Sequence, residues 1–138
     1  MAYEGDPMNE SRAFSFTSTN AVVVSGVAVN PCGHLILNLG GSPGDYFHVS
    51  ELYGYPRYMN EDGYQRYLKE NGKKELRRWT VTITKPDEAN AKLDQLMSEK
   101  WFWGLLPHNC AAFVEDVVQA GGSSAGLYFN CPTAEAFR

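Results

Sequence analysis

The chain has 138 residues, a net charge of −4 and a pI near 5.3, and 43% of its residues are hydrophobic. This length suits a single domain with a buried core, which we predict over residues 1–138. The acidic balance argues against a nucleic-acid-binding face. No apolar run approaches the roughly 20 residues needed to cross a bilayer, and the first residues do not show the basic and apolar blocks of a signal peptide. We therefore expect synthesis in the cytoplasm, with export only through a dedicated secretion system.

The first half of the chain predicts a loose arm followed by antiparallel strands. Residues 1–18 are polar and are expected to form the arm. Residues 22–29 are rich in β-branched side chains, which is typical of a strand. His34–Leu39 and residues 45–49 flank the glycine-rich stretch 40–44, so the two segments predict a hairpin.

Side-chain alternation assigns each residue of this hairpin to one of two faces. One face is apolar on both strands and is expected to join the core: Leu35, Leu37, Leu39, Phe47 and Val49. His34 and His48 then share the other face. Any register that keeps the apolar pairing places the two imidazoles opposite or diagonal to one another, roughly 5–8 Å apart.

The middle of the chain predicts a loop, two helices and a further strand. Residues 50–60 are rich in tyrosine and are expected to form a loop that lines a groove or covers the sheet. Glu61–Glu70 predicts a short helix, and residues 75–85 predict a strand. Pro86 begins a second helix that ends near Lys100.

The most distinctive stretch spans residues 101–122, where an aromatic, proline-containing loop leads into a helix. One face of this helix is apolar at the i, i+3, i+4, i+7, i+8 spacing: Cys110, Phe113, Val114, Val117 and Val118. Gly121 and Gly122 predict its end. Asn109 is a suitable N-cap, which places Cys110 at the first helical position. The helix dipole there favours a thiolate, although a buried helix also accommodates a cysteine as a small apolar residue.

The three cysteines do not form a metal site by their spacing. For a chain without a signal peptide we predict three free thiols, with a Cys32–Cys131 disulfide as the alternative. Neither a metal ion nor a cofactor is expected.

These residues suit nucleophilic cysteine catalysis, which needs a thiolate, a base and a group that orients the base. Cys110 is the candidate nucleophile, His34 the base and His48 the orienting group. Five residues are candidates for binding the substrate: Tyr46, Tyr53, Trp103, His108 and Asn109. A rival arrangement uses Cys32 as nucleophile and His108 as base, but Cys32 precedes a strand and not a helix.

The motif Asn109-Cys110-x-x-Phe113-Val114 resembles the nucleophile motif of lecithin:retinol acyltransferase-like proteins. His34-Leu-Ile-Leu-Asn-Leu-Gly followed by Tyr-Phe-His48 is similar to the strand pair of that group, which belongs to the circularly permuted NlpC-type, papain-like cysteine hydrolases. The resemblance implies an α+β fold, with an antiparallel sheet of four to six strands packed by helices. It also implies the three catalytic roles above. The membrane anchor of the lipid-acting members is missing, and the hairpin loop carries Pro43.

The resemblance implies a substrate with a carbonyl group that forms an acyl-enzyme. The expected function is a peptidoglycan amidase or endopeptidase, with a toxin delivered between bacteria and a cognate immunity protein as one setting. The alternatives are a lipid acyl hydrolase or acyltransferase, and a protein deamidase or protease. A non-catalytic binding module, in which Cys110 belongs to the core, is the rival from a different class.

Overall fold

The computed structural model describes seven stretches of the chain: residues 2–8, 13–25, 33–41, 43–49, 53–99, 101–102 and 109–123. For residues 53–54, 101–102 and 109–112 it describes the backbone. The described part is α+β, as the sequence predicts, with a five-stranded antiparallel sheet and three helices. None of these helices combines the length and apolar character needed to span a bilayer.

The sheet is built around the predicted hairpin. Its order is β5-β3-β2-β1-β6, and every neighbouring pair is antiparallel. The five strands are β1 (Thr19–Val24), β2 (His34–Leu39), β3 (Asp45–His48), β5 (Arg57–Asn60) and β6 (Glu75–Thr80). Two short strands, β4 (Tyr53–Gly54) and β7 (Trp101–Phe102), pair separately.

The hairpin register confirms the predicted faces. Leu37 pairs with Phe47 and Leu39 pairs with Asp45, so the three leucines of β2 lie on the same side as Phe47 and Val49. These residues are buried in one core cluster. We call this side of the sheet the leucine face.

The opposite side, which we call the histidine face, carries His34 and His48 and is also buried. It contains a second core cluster of apolar and tyrosine side chains: Val22, Val24, Ile36, Tyr46, Met59, Tyr64 and Tyr67. The Tyr46 and Tyr64 rings stack with centroids 4.0 Å apart. The histidine face therefore mixes apolar and polar side chains. It is buried, although the alternation of side chains along each strand would predict an exposed face here.

The helices divide between the two faces. Helix α1 (Glu61–Glu70) covers the histidine face through Tyr64 and Tyr67, and Asn60 caps it by accepting a hydrogen bond from the N–H of Gly63. Helices α2 (Pro86–Met97) and α3 (Asn109–Ala120) pack together and cover the leucine face.

The side chains that α2 and α3 bury are those that the 3.6-residue spacing predicts, as far as they are described. In α2 they are Ala89, Leu93, Leu96 and Met97, and in α3 they are Phe113, Val114, Val117 and Val118. Gly122, with a φ of +96°, ends α3 as predicted. Helix α3 begins at Asn109, one residue before the predicted first position. The side chains of Asn109 and Cys110 lie outside the described part.

Four predicted segments differ from the structure. The strand predicted over residues 22–29 begins earlier, at Thr19, and ends at Val24, while residues 26–29 lie outside the described part. The described residues of the expected arm are packed, since Phe16 is buried and the Phe14 ring meets the Phe47 ring edge-on at 4.9 Å. Within the expected loop 50–60, two short strands form. The strand predicted over residues 75–85 ends at Thr80. The missed strands are two and four residues long, which is too short for an alternation of apolar and polar side chains to indicate them.

Candidate active site

His34 and His48 form a direct hydrogen bond on the histidine face. Nε2 of His34 lies 2.7 Å from Nδ1 of His48, and the ring centroids are 5.0 Å apart. Their strands place them there: His34 begins β2, and His48 ends β3 at the same end of the sheet. The structure thus confirms that the two imidazoles meet, as side-chain parity predicts. We call them the imidazole pair.

A backbone carbonyl decides which ring nitrogens of the pair carry protons. Nε2 of His48 lies 2.8 Å from the carbonyl oxygen of Glu4. A carbonyl oxygen only accepts, so Nε2 of His48 is the donor, and Nδ1 of the neutral ring is an acceptor. Nε2 of His34 must then donate to that Nδ1. The nitrogen of His34 that carries no proton is therefore Nδ1, the atom able to act as a base.

Burial keeps both imidazoles neutral. His48 is fully buried, its ring meets the Tyr67 ring edge-on at 5.1 Å, and burial lowers its pKa to about 4. Its hydrogen bond to Glu4 opposes this shift, while Arg57 and Lys73 add to it. Burial is also the main cause that holds the pKa of His34 well below its usual value, followed by the repulsion that a protonated His48 would exert and by the charge of Lys73.

The neutral pair makes stability depend on pH in a defined window. Both folded-state pKa values are below the ordinary value of 6.5, so the unfolded chain binds more protons below pH 6.5 and stability falls on acidification. The shift of His48 alone should lower the free energy of unfolding by about 2 kcal/mol between pH 6.5 and 4.5. Urea unfolding at several pH values measures this loss, and a smaller loss is expected in His48→Gln. Equal loss in both proteins would contradict a buried neutral His48.

Helix α3, which carries Cys110 in its first turn, contacts β2 and β3 on the leucine face. The other end of α3 is fixed by backbone bonds from Thr84 and Lys85 to the carbonyl of Gly121, at 2.9 and 2.8 Å. The segment that follows β6 begins beside the end of β2. Val81 N donates to the carbonyl of Thr19, and Thr19 pairs with Leu39, the last residue of β2.

Helix α3 and the imidazole pair nevertheless lie on opposite faces of the sheet. The helix packs on the leucine face, whereas His48 contacts Tyr67 of α1 and His34 lies beside His48 on the histidine face. A thiol at position 110 would have to meet Nδ1 of His34 around the end of β2, where His34 is partly exposed and is the first residue of the strand.

No family model, curated protein or solved structure matches this chain. What the structure itself establishes is the α+β class, the antiparallel sheet and the contact between the two imidazoles. The papain-like assignment and the catalytic roles stay predictions.

Of the five residues predicted to bind substrate, Tyr46 differs from expectation. It is fully buried, and its hydroxyl donates to Glu61 at 2.8 Å and accepts from Arg78 at 2.9 Å. It therefore supports the interior of the histidine face and does not line an open groove. Trp103 and His108 lie outside the described residues, as do the side chains of Tyr53 and Asn109.

Sequence reasoning missed one group of this site, the main-chain carbonyl of Glu4. Every residue carries the same main-chain carbonyl, so no side-chain pattern could have indicated it. Among the described residues, no cluster of three or more histidine, cysteine or carboxylate side chains could hold a metal ion.

Proposed function

We propose that this protein is a cysteine-dependent hydrolase that acts through an acyl-enzyme. The observation that carries the proposal is the chain of hydrogen bonds from His34 through His48 to the Glu4 carbonyl, which leaves Nδ1 of His34 as a base. Helix α3 supports it, because its first turn carries Cys110 and the helix contacts β2, the strand that His34 begins. A helix start lowers the pKa of a thiol and offers free backbone N–H groups to an oxyanion.

In the proposed reaction, Nδ1 of His34 takes the thiol proton and the sulfur of Cys110 attacks the substrate carbonyl carbon. The carbonyl electrons move to oxygen, and the backbone N–H of Cys110 stabilises that charge. Collapse of the intermediate breaks the carbon–nitrogen bond, and the His34 imidazolium gives its proton to the leaving amine. Water, deprotonated by His34, then cleaves the thioester to release the acid and the thiol.

The substrate class we propose is a peptidoglycan amide, with lipid acyl esters and protein amides as the alternatives. The test incubates the protein separately with purified cell-wall fragments and with phospholipid vesicles, and mass spectrometry identifies the products. A mass gain of one water distributed between two cell-wall fragments supports amide hydrolysis. Released fatty acid would move the assignment to lipids. If neither product forms and a protein target is deamidated or cleaved, the assignment moves to proteins.

The proposal predicts that Cys110 is the most reactive thiol of the native protein. Iodoacetamide should label Cys110 faster than Cys32 and Cys131, because the helix start lowers its pKa below the usual value of about 8.5. His34→Ala should raise that apparent pKa by removing the base. Mass spectrometry of peptides labelled at several pH values measures both effects. Equal labelling of the three cysteines would contradict a catalytic thiol.

A second candidate, a non-catalytic binding module, is favoured by the packing of α3 on the leucine face, opposite the imidazole pair. In that case Cys110 is a core residue, and the pair fills a polar position among tyrosines. The labelling experiment separates the two candidates, because in a binding module His34→Ala would leave the reactivity of Cys110 unchanged.

A further inference from the structure

Residues 3–6, which we call the N-terminal clamp, are fastened to the edge of the sheet beside the imidazole pair. The backbone N–H groups of Asp6 and Tyr58 each donate to the carbonyl of the other residue, both at 2.8 Å. Nη1 of Arg57 donates to the carbonyl of Gly5 at 3.2 Å. Since β5 is the edge strand, the clamp covers a backbone edge that no other described strand pairs with.

Helix α1 holds the other end of the clamp. The N–H of Tyr3 donates to Glu70 at 2.8 Å, and Asn71 donates to the Tyr3 carbonyl at 2.8 Å. The Tyr3 hydroxyl donates to Asp6 at 2.7 Å, and the Arg66 guanidinium lies 4.4 Å from the centre of the Tyr3 ring. The residues on both sides of Glu4 are thus fixed by several independent contacts.

Gly5 lets the clamp approach the sheet closely enough for Glu4 to reach His48. Its φ of +107° favours glycine, and it is buried. A β-carbon at this position would lie 2.9 Å from Cβ of Arg57 and 3.2 Å from Cγ of Met59. A side chain here would therefore push the clamp away from β5 and withdraw the Glu4 carbonyl from Nε2 of His48.

We infer that the N-terminal clamp is a positioning device for the imidazole pair, in which the Glu4 carbonyl selects the tautomers of both rings. Two neutral arrangements satisfy the bond between the rings: His34 donates from Nε2, or His48 donates from Nδ1. Only the first leaves Nε2–H on His48 for the carbonyl. The inference rests on the proposed function only for its consequence, which is that Nδ1 of His34 stays unprotonated and can accept the thiol proton.

Loss of this carbonyl should shift the equilibrium between the two arrangements by about tenfold, the effect of one buried hydrogen bond. With the opposite arrangement, His34 would carry its proton on Nδ1 and could not accept one there. Glu4 itself touches no substrate atom in this scheme. It acts through His48, which acts through His34.

The experiment uses the full chain with ¹⁵N-labelled histidine, since the nitrogen chemical shift distinguishes protonated from unprotonated ring nitrogens. His108→Gln assigns the third histidine. Above pH 7, wild type should show protons on Nε2 of both His34 and His48. Gly5→Ala displaces the clamp, and Tyr3→Ala, a milder change, removes two of its side-chain contacts. Gly40→Ala is the matched control: Gly40 has a φ of +87°, but a β-carbon there lies 3.9 Å from its nearest neighbour.

The expected result is Nδ1 protonation of both rings in a measurable fraction of Gly5→Ala molecules, with a smaller fraction in Tyr3→Ala and none in Gly40→Ala. Unchanged tautomers in a folded Gly5→Ala protein would overturn the inference, as would Nδ1 protonation of His34 in wild type. If Gly5→Ala is unfolded, Tyr3→Ala decides by the same criterion. A tautomer change without a change in Cys110 labelling would support the clamp and contradict the proposed hydrolase.

Discussion

Replacing Cys110 with alanine should reduce the rate of the proposed hydrolysis by at least about 10³-fold, because no other group can form the acyl-enzyme. Water activated directly by His34 would be the only remaining route. The measurement is the rate of product formation from the substrate that mass spectrometry identifies. Circular dichroism and thermal unfolding should show that the variant keeps its helices, since an alanine at a helix start is well tolerated.

The chain supplies its own controls for this experiment. Cys32→Ala and Cys131→Ala remove a thiol of the same size elsewhere in the sequence, and both should retain most of the activity. Loss of activity in Cys32→Ala with retention in Cys110→Ala would favour the rival arrangement with Cys32 as nucleophile. A folded, active Cys110→Ala protein would exclude Cys110 as the nucleophile, and full activity in all three alanine variants would exclude a cysteine mechanism.

The sequence predicted the hairpin and the contact between His34 and His48 because one physical rule governs both. Side chains alternate along a strand, so five apolar residues that must share a core oblige the two histidines to share the other face. Helices α2 and α3 were predictable for a similar reason, since their buried residues recur every three or four positions.

The face that α3 covers could not be predicted, because both faces of the sheet are apolar. Val22, Val24 and Ile36 make the histidine face as suitable for a helix as the leucine face. Which helix covers which face depends on tertiary packing across many residues. For the same reason, the sequence predicts that Cys110 and His34 act together, whereas the structure places helix α3 and the His34 side chain on opposite faces of the sheet.

The packing of residues 2–8 was missed for another reason. Their contacts are main-chain bonds, an aromatic ring on a guanidinium and a glycine in a left-handed conformation, and none of these produces an apolar repeat. A polar N-terminus therefore predicts a loose arm, although residues 3–6 are hydrogen-bonded to both β5 and the end of α1.

His34→Ala should be the most damaging histidine substitution, with a loss of about 10²–10⁴-fold in rate, because it removes the group that accepts the proton. His48→Ala should cost less, about tenfold or more, since His34 remains as a base but loses the acceptor of its Nε2–H. Steady-state rates of both variants measure the difference, with thermal unfolding to confirm that each is folded.

The geometry around His48 allows a sharper test with amides. The ring lies between Nε2 of His34 at 2.7 Å and the Glu4 carbonyl at 2.8 Å, so a substitute must accept on one side and donate on the other. A glutamine amide has both functions, and it is long enough to place them near the ring nitrogens. His48→Gln should therefore recover more activity than His48→Asn, whose shorter side chain reaches one partner at a time. If His48→Ala matched wild type, the imidazole pair would be a structural feature of the histidine face, and the base of the reaction would have to lie elsewhere.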